Sequence, residues 1–177
     1  CRQSSEELKE AKPKMIIEDF EVTDFDKMKS KISSNNLPTF DQVYHVSGIM
    51  RSSTLAEFDV EGIKEQFEVN SIAPMLSAKA FLPKLAENSK LGLLTSRMGS
   101  IEDNDSGGSY GYRMSKSALN AAGRSLSVDL KEQSITVLLL HPGWVKTDMT
   151  SQSGLVETDE SAKNLVKIMN EKSIEDT

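Results

Sequence analysis

The sequence predicts an α/β fold, a parallel sheet covered by helices on both faces. Three observations carry this. Helical segments and short strands alternate along the chain. The strands at 91–95 (LGLLT) and 135–140 (ITVLLL) are continuously apolar, as strands buried on both faces are. The unusual residues Ser47-Gly48, Ser96 and Pro142-Gly143 follow strands directly. In such a sheet crossovers are right-handed, and ligands bind beyond the carboxyl ends of the strands.

Each element has a local reason. Residues 5–12 (SEELKEAK) read as a short helix capped by Ser4 or Ser5. Residues 14–22 (KMIIEDFEV) read as a strand with acidic residues near its end. Thr23 or Asp24 caps a short helix through Ile32, and Pro38 closes a polar loop. Residues 41–46 (DQVYHV) form the next strand. A long helical segment over 61–85 contains Pro74 and Pro83, which kink or divide it. After the strand at 91–95, a polar loop leads to a helix from Tyr112 to Leu130, with Met114, Ala118, Leu119, Ala122 and Leu126 at helical spacing. The strand at 135–140 and an amphipathic helix over 158–171 complete the series.

Composition excludes several classes of function. The chain has 177 residues, a size that suits one domain with a substantial core. Hydrophobic residues make up 37% and charged residues 27%, as in an ordinary soluble globular protein. The net charge is -6 with no basic cluster, which argues against nucleic acid as a partner. No apolar run approaches a membrane span, and no signal peptide is visible. Cys1 is the only cysteine, and neither His45 nor His141 sits in a metal-ligand pattern, so no metal site is expected. These features suggest a cytoplasmic protein.

Tyr112 and Lys116 occupy positions i and i+4 of the central helix and therefore share a face. A cation beside a phenol favours the phenolate and lowers its pKa, so the pair is a candidate for proton transfer to a substrate oxygen. The same spacing also arises by chance on many helices, so the surrounding residues must decide.

Four features stand in one order: Asn70 in VNSIAP, Ser96 in LLTSRMG, Tyr112 and Lys116 as Y-x-x-x-K, and Pro142-Gly143 in HPGWVKTDM. With them the chain resembles the short-chain dehydrogenase/reductase family. The segments TSRMGSIEDNDSGGSYGYRMSKSALNAAGRSLSVDL and LLLHPGWVKTDM resemble its C-factor-like branch, the group around the bacterial C-signal protein. The resemblance implies a Rossmann-type doubly wound sheet and an oxidoreductase that moves hydride between NAD or NADP and a carbonyl or alcohol. In it Tyr112 would be the general acid/base, Lys116 would tune it and hold the nicotinamide ribose, Ser96 would bond the substrate oxygen, and Asn70 would support a proton relay. Pro142, Gly143, Val145 and Thr147 would line the nicotinamide. Glu21 and Val22 would lie beside adenine, and Ser47-Gly48 would end the central strand against the nucleotide. Arg2 stands where a basic residue meets a 2′-phosphate, a slight lean to NADP.

The residues leave some roles open. Ser100 rivals Ser96, Asn70 also suits a kink cap before Pro74, Glu21 a solvated strand end, and Trp144 either a pocket wall or a cover for the sheet. No G-x-G-x-x-G turn occurs among the ten glycines. Against the family pattern, residues 1–177 read as a single dinucleotide-binding domain truncated at both ends, lacking the first strand-turn-helix and the last strand. The resemblance leaves two further readings: a non-enzymatic signalling or interaction protein, and an inactive fragment of the enzyme. A small-molecule substrate and a homo-oligomer complete the expected partners.

Overall fold

The computed structural model describes residues 1–176. Strands β1 (Phe40–His45), β2 (Leu85–Leu94) and β3 (Thr136–Leu140) form one parallel sheet in the order β1-β2-β3. In its regular part, Val43 pairs with Leu91 and Leu91 with Val137.

Among the described residues six α-helices accompany the strands: α1 (Glu6–Glu10), α2 (Phe25–Ser34), α3 (Val60–Phe67), α4 (Ala73–Phe81), α5 (Tyr110–Asp129) and α6 (Thr158–Glu171). The first three start at side-chain caps. Ser5 accepts from the Leu8 N–H, Asp24 from Lys27 and Asp59 from Gly62.

Side-chain alternation along the strands sorts the core into two layers. Leu91, Leu93 and Val137 point to one face and pack with Ala78 of α4 and Leu119 of α5. Leu138 and Leu140 point to the other and pack with Met169 and Leu165 of α6. A third cluster seats Met28 and Ile32 of α2 against Ala80 and Leu76 of α4. Helices therefore cover both faces of the sheet.

Three expectations need correction. Residues 14–22 form no strand. Their backbone bonds run from the Asp19 and Phe20 N–H groups to the carbonyls of Arg2 and Cys1, and Asp19 has φ 55, which interrupts an extended run. Ile17, Phe20 and Val22 still bury their side chains against the α2 cluster, which is the apolar signal that suggested a strand. Second, β2 begins at Leu85, well before the apolar run at 91–95. Pairing of Phe40 with Leu85 extends it through polar residues, with an irregularity in register between Phe40 and Gln42. Third, Leu85 therefore belongs to that strand and not to the preceding helical segment. That segment is divided as the prolines suggest: α3 passes into a π-helical turn (Glu68–Ile72), then α4, then a 3₁₀ turn (Leu82–Lys84). Pro74 lacks the N–H that would close an α-helical bond onto the Asn70 carbonyl, a physical reason for the change of pitch.

Among the described residues, no helix is long and apolar enough to cross a membrane, and no group of His, Cys, Asp and Glu side chains is arranged to hold a metal ion.

Candidate active site

The carboxyl ends of all three strands open into one cleft of about 1040 Å³. Val46, Ser47 and Gly48 follow β1; Thr95 and Ser96 follow β2; His141, Pro142 and Gly143 follow β3. Tyr112 and Lys116 enter from α5, Val145 and Thr147 from the loop after β3, and Ser161 and Leu165 from α6.

Tyr112 and Lys116 are both buried, at 8% and 4% exposure. The Lys116 Nζ donates to the Leu94 carbonyl at 2.8 Å and stands 5.8 Å from the centre of the Tyr112 ring. Burial lowers the Lys116 pKa from 10.5 to about 8. Burial also raises the Tyr112 pKa above 10, while the Ser96 hydroxyl acts in the opposite direction. The phenol is thus neutral at neutral pH. Desolvation dominates, and what opposes it comes from Ser96 rather than from the i, i+4 ammonium. Ser96 starts a 3₁₀ turn (Arg97–Gly99), and its Oγ accepts from the Met98 N–H at 3.1 Å. Its own hydroxyl proton is left to donate into the cleft.

Asn70 is fully buried beneath the site. Its Oδ1 accepts from the Ile49 N–H at 2.8 Å, and its Nδ2 donates to the Ile49 carbonyl at 2.8 Å and to the Ser115 Oγ at 3.0 Å. Ser115 in turn donates to the Tyr112 carbonyl at 2.9 Å. One amide side chain therefore ties the segment after β1 to the start of α5.

The turn after β3 holds Gly143 at φ +89, a backbone conformation that L side chains rarely adopt. Beyond it the chain folds back. Lys146 N–H donates to the Val156 carbonyl at 2.9 Å, and the Thr150 Oγ1 donates to the Val145 carbonyl at 2.7 Å. Ser161 Oγ donates to the Pro142 carbonyl at 2.7 Å and pins the glycine turn to α6.

The cleft gathers Ser47, Gly48, Ser96, Tyr112, Lys116, Pro142, Gly143, Val145 and Thr147. Ser100 does not line it. Arg2, Glu21 and Val22 also lie outside it: Arg2 is exposed, Glu21 accepts from the Thr23 hydroxyl at 3.3 Å, and Val22 packs on the α2 cluster. Residue reading missed several contributors. His45, 6% exposed, faces Ser77 Oγ at 3.0 Å through Nδ1, and its Nε2 has no hydrogen-bond partner among the described residues; burial lowers its pKa to about 4, with the Lys116 charge adding to the effect. Ser115 and Asn120 share α5 with Tyr112 and Lys116, and that shared helix was the available signal.

The chain belongs to the short-chain dehydrogenase/reductase family. The family model described as enoyl-(acyl carrier protein) reductase matches residues 2–175. A 1-hydroxy-2-glutathionyl-2-methyl-3-butene dehydrogenase of Rhodococcus sp. is 40% identical over 131 residues, covering 72% of this chain and 58% of that protein. The C-signal protein of Myxococcus xanthus is 37% identical over 126 residues, covering 70% of this chain and 75% of its own. Among solved structures, the carbonyl reductase Sniffer of D. melanogaster superposes with a TM-score of 0.87 at 30% identity, over 98% of this chain and 79% of that one. An NADPH-bound carbonyl reductase from chicken fatty liver gives 0.86 at 30% identity, over 97% and 75%. The fold is Rossmann-type.

Proposed function

We propose that this chain carries the catalytic part of an NAD(P)(H)-dependent oxidoreductase that interconverts a carbonyl compound and its alcohol. The observation that supports this best is the convergence of Ser96, Tyr112 and Lys116, from the turn after β2 and from α5, on one strand-end cleft. NADP(H) is the favoured nucleotide, because the chicken carbonyl reductase that resembles this chain binds NADPH.

The residues present fit a nicotinamide nucleotide at this end of the cleft. Lys116 is a buried ammonium that commits one proton to the Leu94 carbonyl and keeps others for ribose hydroxyls. Gly143 keeps the turn after β3 free of a side chain, so a flat ring can lie against its backbone. Thr147 adds a polar group suited to a carboxamide. A nicotinamide bound there supplies the hydride.

The protein's own part is the proton and the charge. As the substrate carbonyl is reduced, negative charge grows on its oxygen. Ser96 donates a hydrogen bond to that oxygen, using the hydroxyl proton that its bond from Met98 leaves free. Tyr112, neutral at neutral pH, gives its proton to the same oxygen. Lys116 stays protonated up to about pH 8 and stabilises the phenolate left behind. Asn70 positions the start of α5 through Ser115.

The test is NADPH consumption at 340 nm with a panel of aldehydes and ketones. Wild-type chain turns over at least one of them, and Tyr112→Phe lowers kcat at least a thousandfold with its far-UV spectrum unchanged. Equal turnover in the variant removes Tyr112 from the reaction.

A further inference from the structure

Tyr112, Lys116 and Asn120 recur every fourth residue of α5 and form one stripe. The first two enter the cleft. Asn120 does not line it. Instead its side chain meets the turn that carries Ser96 on both sides. The Thr95 hydroxyl donates to Asn120 Oδ1 at 2.5 Å, and Asn120 Nδ2 donates to the Gly99 carbonyl at 3.4 Å. Thr95 precedes Ser96, and Gly99 closes its 3₁₀ turn.

The two arms of this turn are held differently. The upstream arm is also part of the sheet, since the Thr95 N–H donates to the Leu140 carbonyl at 2.8 Å. The downstream arm is gripped from α5: Ser117 Oγ donates to the Gly99 carbonyl at 2.8 Å, and Arg113 reaches the Met98 carbonyl at 3.5 Å. The approach is close enough to require glycine. A Cβ on Gly99 would stand 2.8 Å from the Lys116 carbonyl carbon and 2.9 Å from Asn120 Nδ2. A primary amide offers an acceptor to one arm and a donor to the other from one short planar group.

We propose that Asn120 is a positioning residue: it clamps both arms of the Ser96 turn to the helix that carries Tyr112, and so sets the spacing of serine hydroxyl and phenol. This rests on the reading of Ser96 and Tyr112 as partners at one reacting oxygen. Asn120 acts only through the turn. Its loss leaves the nucleotide-facing residues after β3 in place and misaligns the hydroxyl that stabilises charge.

The experiment compares Asn120→Ala, Asn120→Asp and Thr95→Val with Ser96→Ala and Tyr112→Phe. The first readout needs no nucleotide: the phenolate fraction of Tyr112 at pH 10, from the ¹³Cζ resonance that Tyr112→Phe removes. Because the Ser96 hydroxyl favours the phenolate, Asn120→Ala lowers that fraction as Ser96→Ala does. Thr95→Val lowers it less, and Asn120→Asp, which keeps the acceptor for Thr95, recovers part of it. The second readout is NADPH-coupled turnover. Asn120→Ala reduces kcat by about tenfold to a hundredfold, the scale of a misplacement near 1 Å, with the KM for NADPH within twofold of wild type. Should Asn120→Ala fail to fold, Asn120→Asp and Thr95→Val make the same comparison on folded chains. A phenolate fraction that falls in Ser96→Ala but is unchanged across the Asn120 and Thr95 variants overturns the clamp alone. A fraction unchanged even in Ser96→Ala overturns the clamp together with the Ser96–Tyr112 pairing. Full turnover in Tyr112→Phe overturns the functional reading, while the titration still decides the clamp.

Discussion

Replacing Lys116 with Met makes the chain more stable at neutral pH and, on the proposed mechanism, lowers its turnover. The folded chain holds this ammonium where burial lowers its pKa from 10.5 to about 8, which corresponds to about 3 kcal/mol against the protonated form. Met fills a similar volume with no charge to desolvate. It also abandons the Leu94 carbonyl, a loss of about 1–2 kcal/mol. The net gain at pH 7 is about 1–2 kcal/mol. Its pH dependence identifies the cause. Between pH 8 and 10.5 the unfolded chain holds the Lys116 proton and the folded chain does not, so wild-type stability rises with pH across this window. The advantage of Lys116→Met therefore shrinks by about 2 kcal/mol between pH 7 and pH 9.5. Urea unfolding followed by circular dichroism at these two pH values measures it, below the range where the raised Tyr112 phenol titrates. A difference between variant and wild type that is the same at both pH values refutes the reasoning.

Two further outcomes follow from groups around the site. His45 is buried with its pKa lowered to about 4, so its contribution is intact above the unfolded value of 6.5 and is lost as pH falls towards 4. Relative to His45→Gln, the wild-type chain loses about 3 kcal/mol over that interval; superimposable acid-unfolding curves would show that burial of the imidazole is irrelevant. Gly143→Ala forces a side chain onto φ +89, 3.4 Å from Val156 Cγ2, and destabilises by about 1–3 kcal/mol in thermal unfolding, with a raised KM for the nucleotide. An unchanged melting temperature there would mean that the turn tolerates a Cβ.

Periodicity read well wherever local chemistry and tertiary packing agree. The α6 limits coincide with the predicted 158–171, α2 starts at the Asp24 cap, and β3 lies within the apolar run 135–140. The i, i+4 relation of Tyr112 and Lys116 is realised on α5, and the strand-end residues Ser47, Ser96 and Gly143 share its cleft. The failures have physical causes. Ile17, Phe20 and Val22 are apolar because they pack on α2, and apolar content alone does not distinguish a packed loop from a strand. The early part of β2 is polar, and only its pairing with Phe40 makes it a strand. The direction of the Tyr112 shift depends on burial, which no spacing rule contains. For Asn120 the shared helix was the one sequence signal, because its partners Thr95 and Gly99 reach α5 only through the crossover.

The most direct measurement of the proposed chemistry uses NADPH carrying deuterium at the transferable C4 position and a carbonyl substrate found in the turnover panel. Mass spectrometry of the alcohol then reports the origin of its new carbon-bound hydrogen. The account predicts one deuterium at the carbinol carbon with the wild-type chain and almost no product with Tyr112→Phe. Unlabelled alcohol from the wild type, or labelled alcohol formed equally fast by the variant, contradicts it.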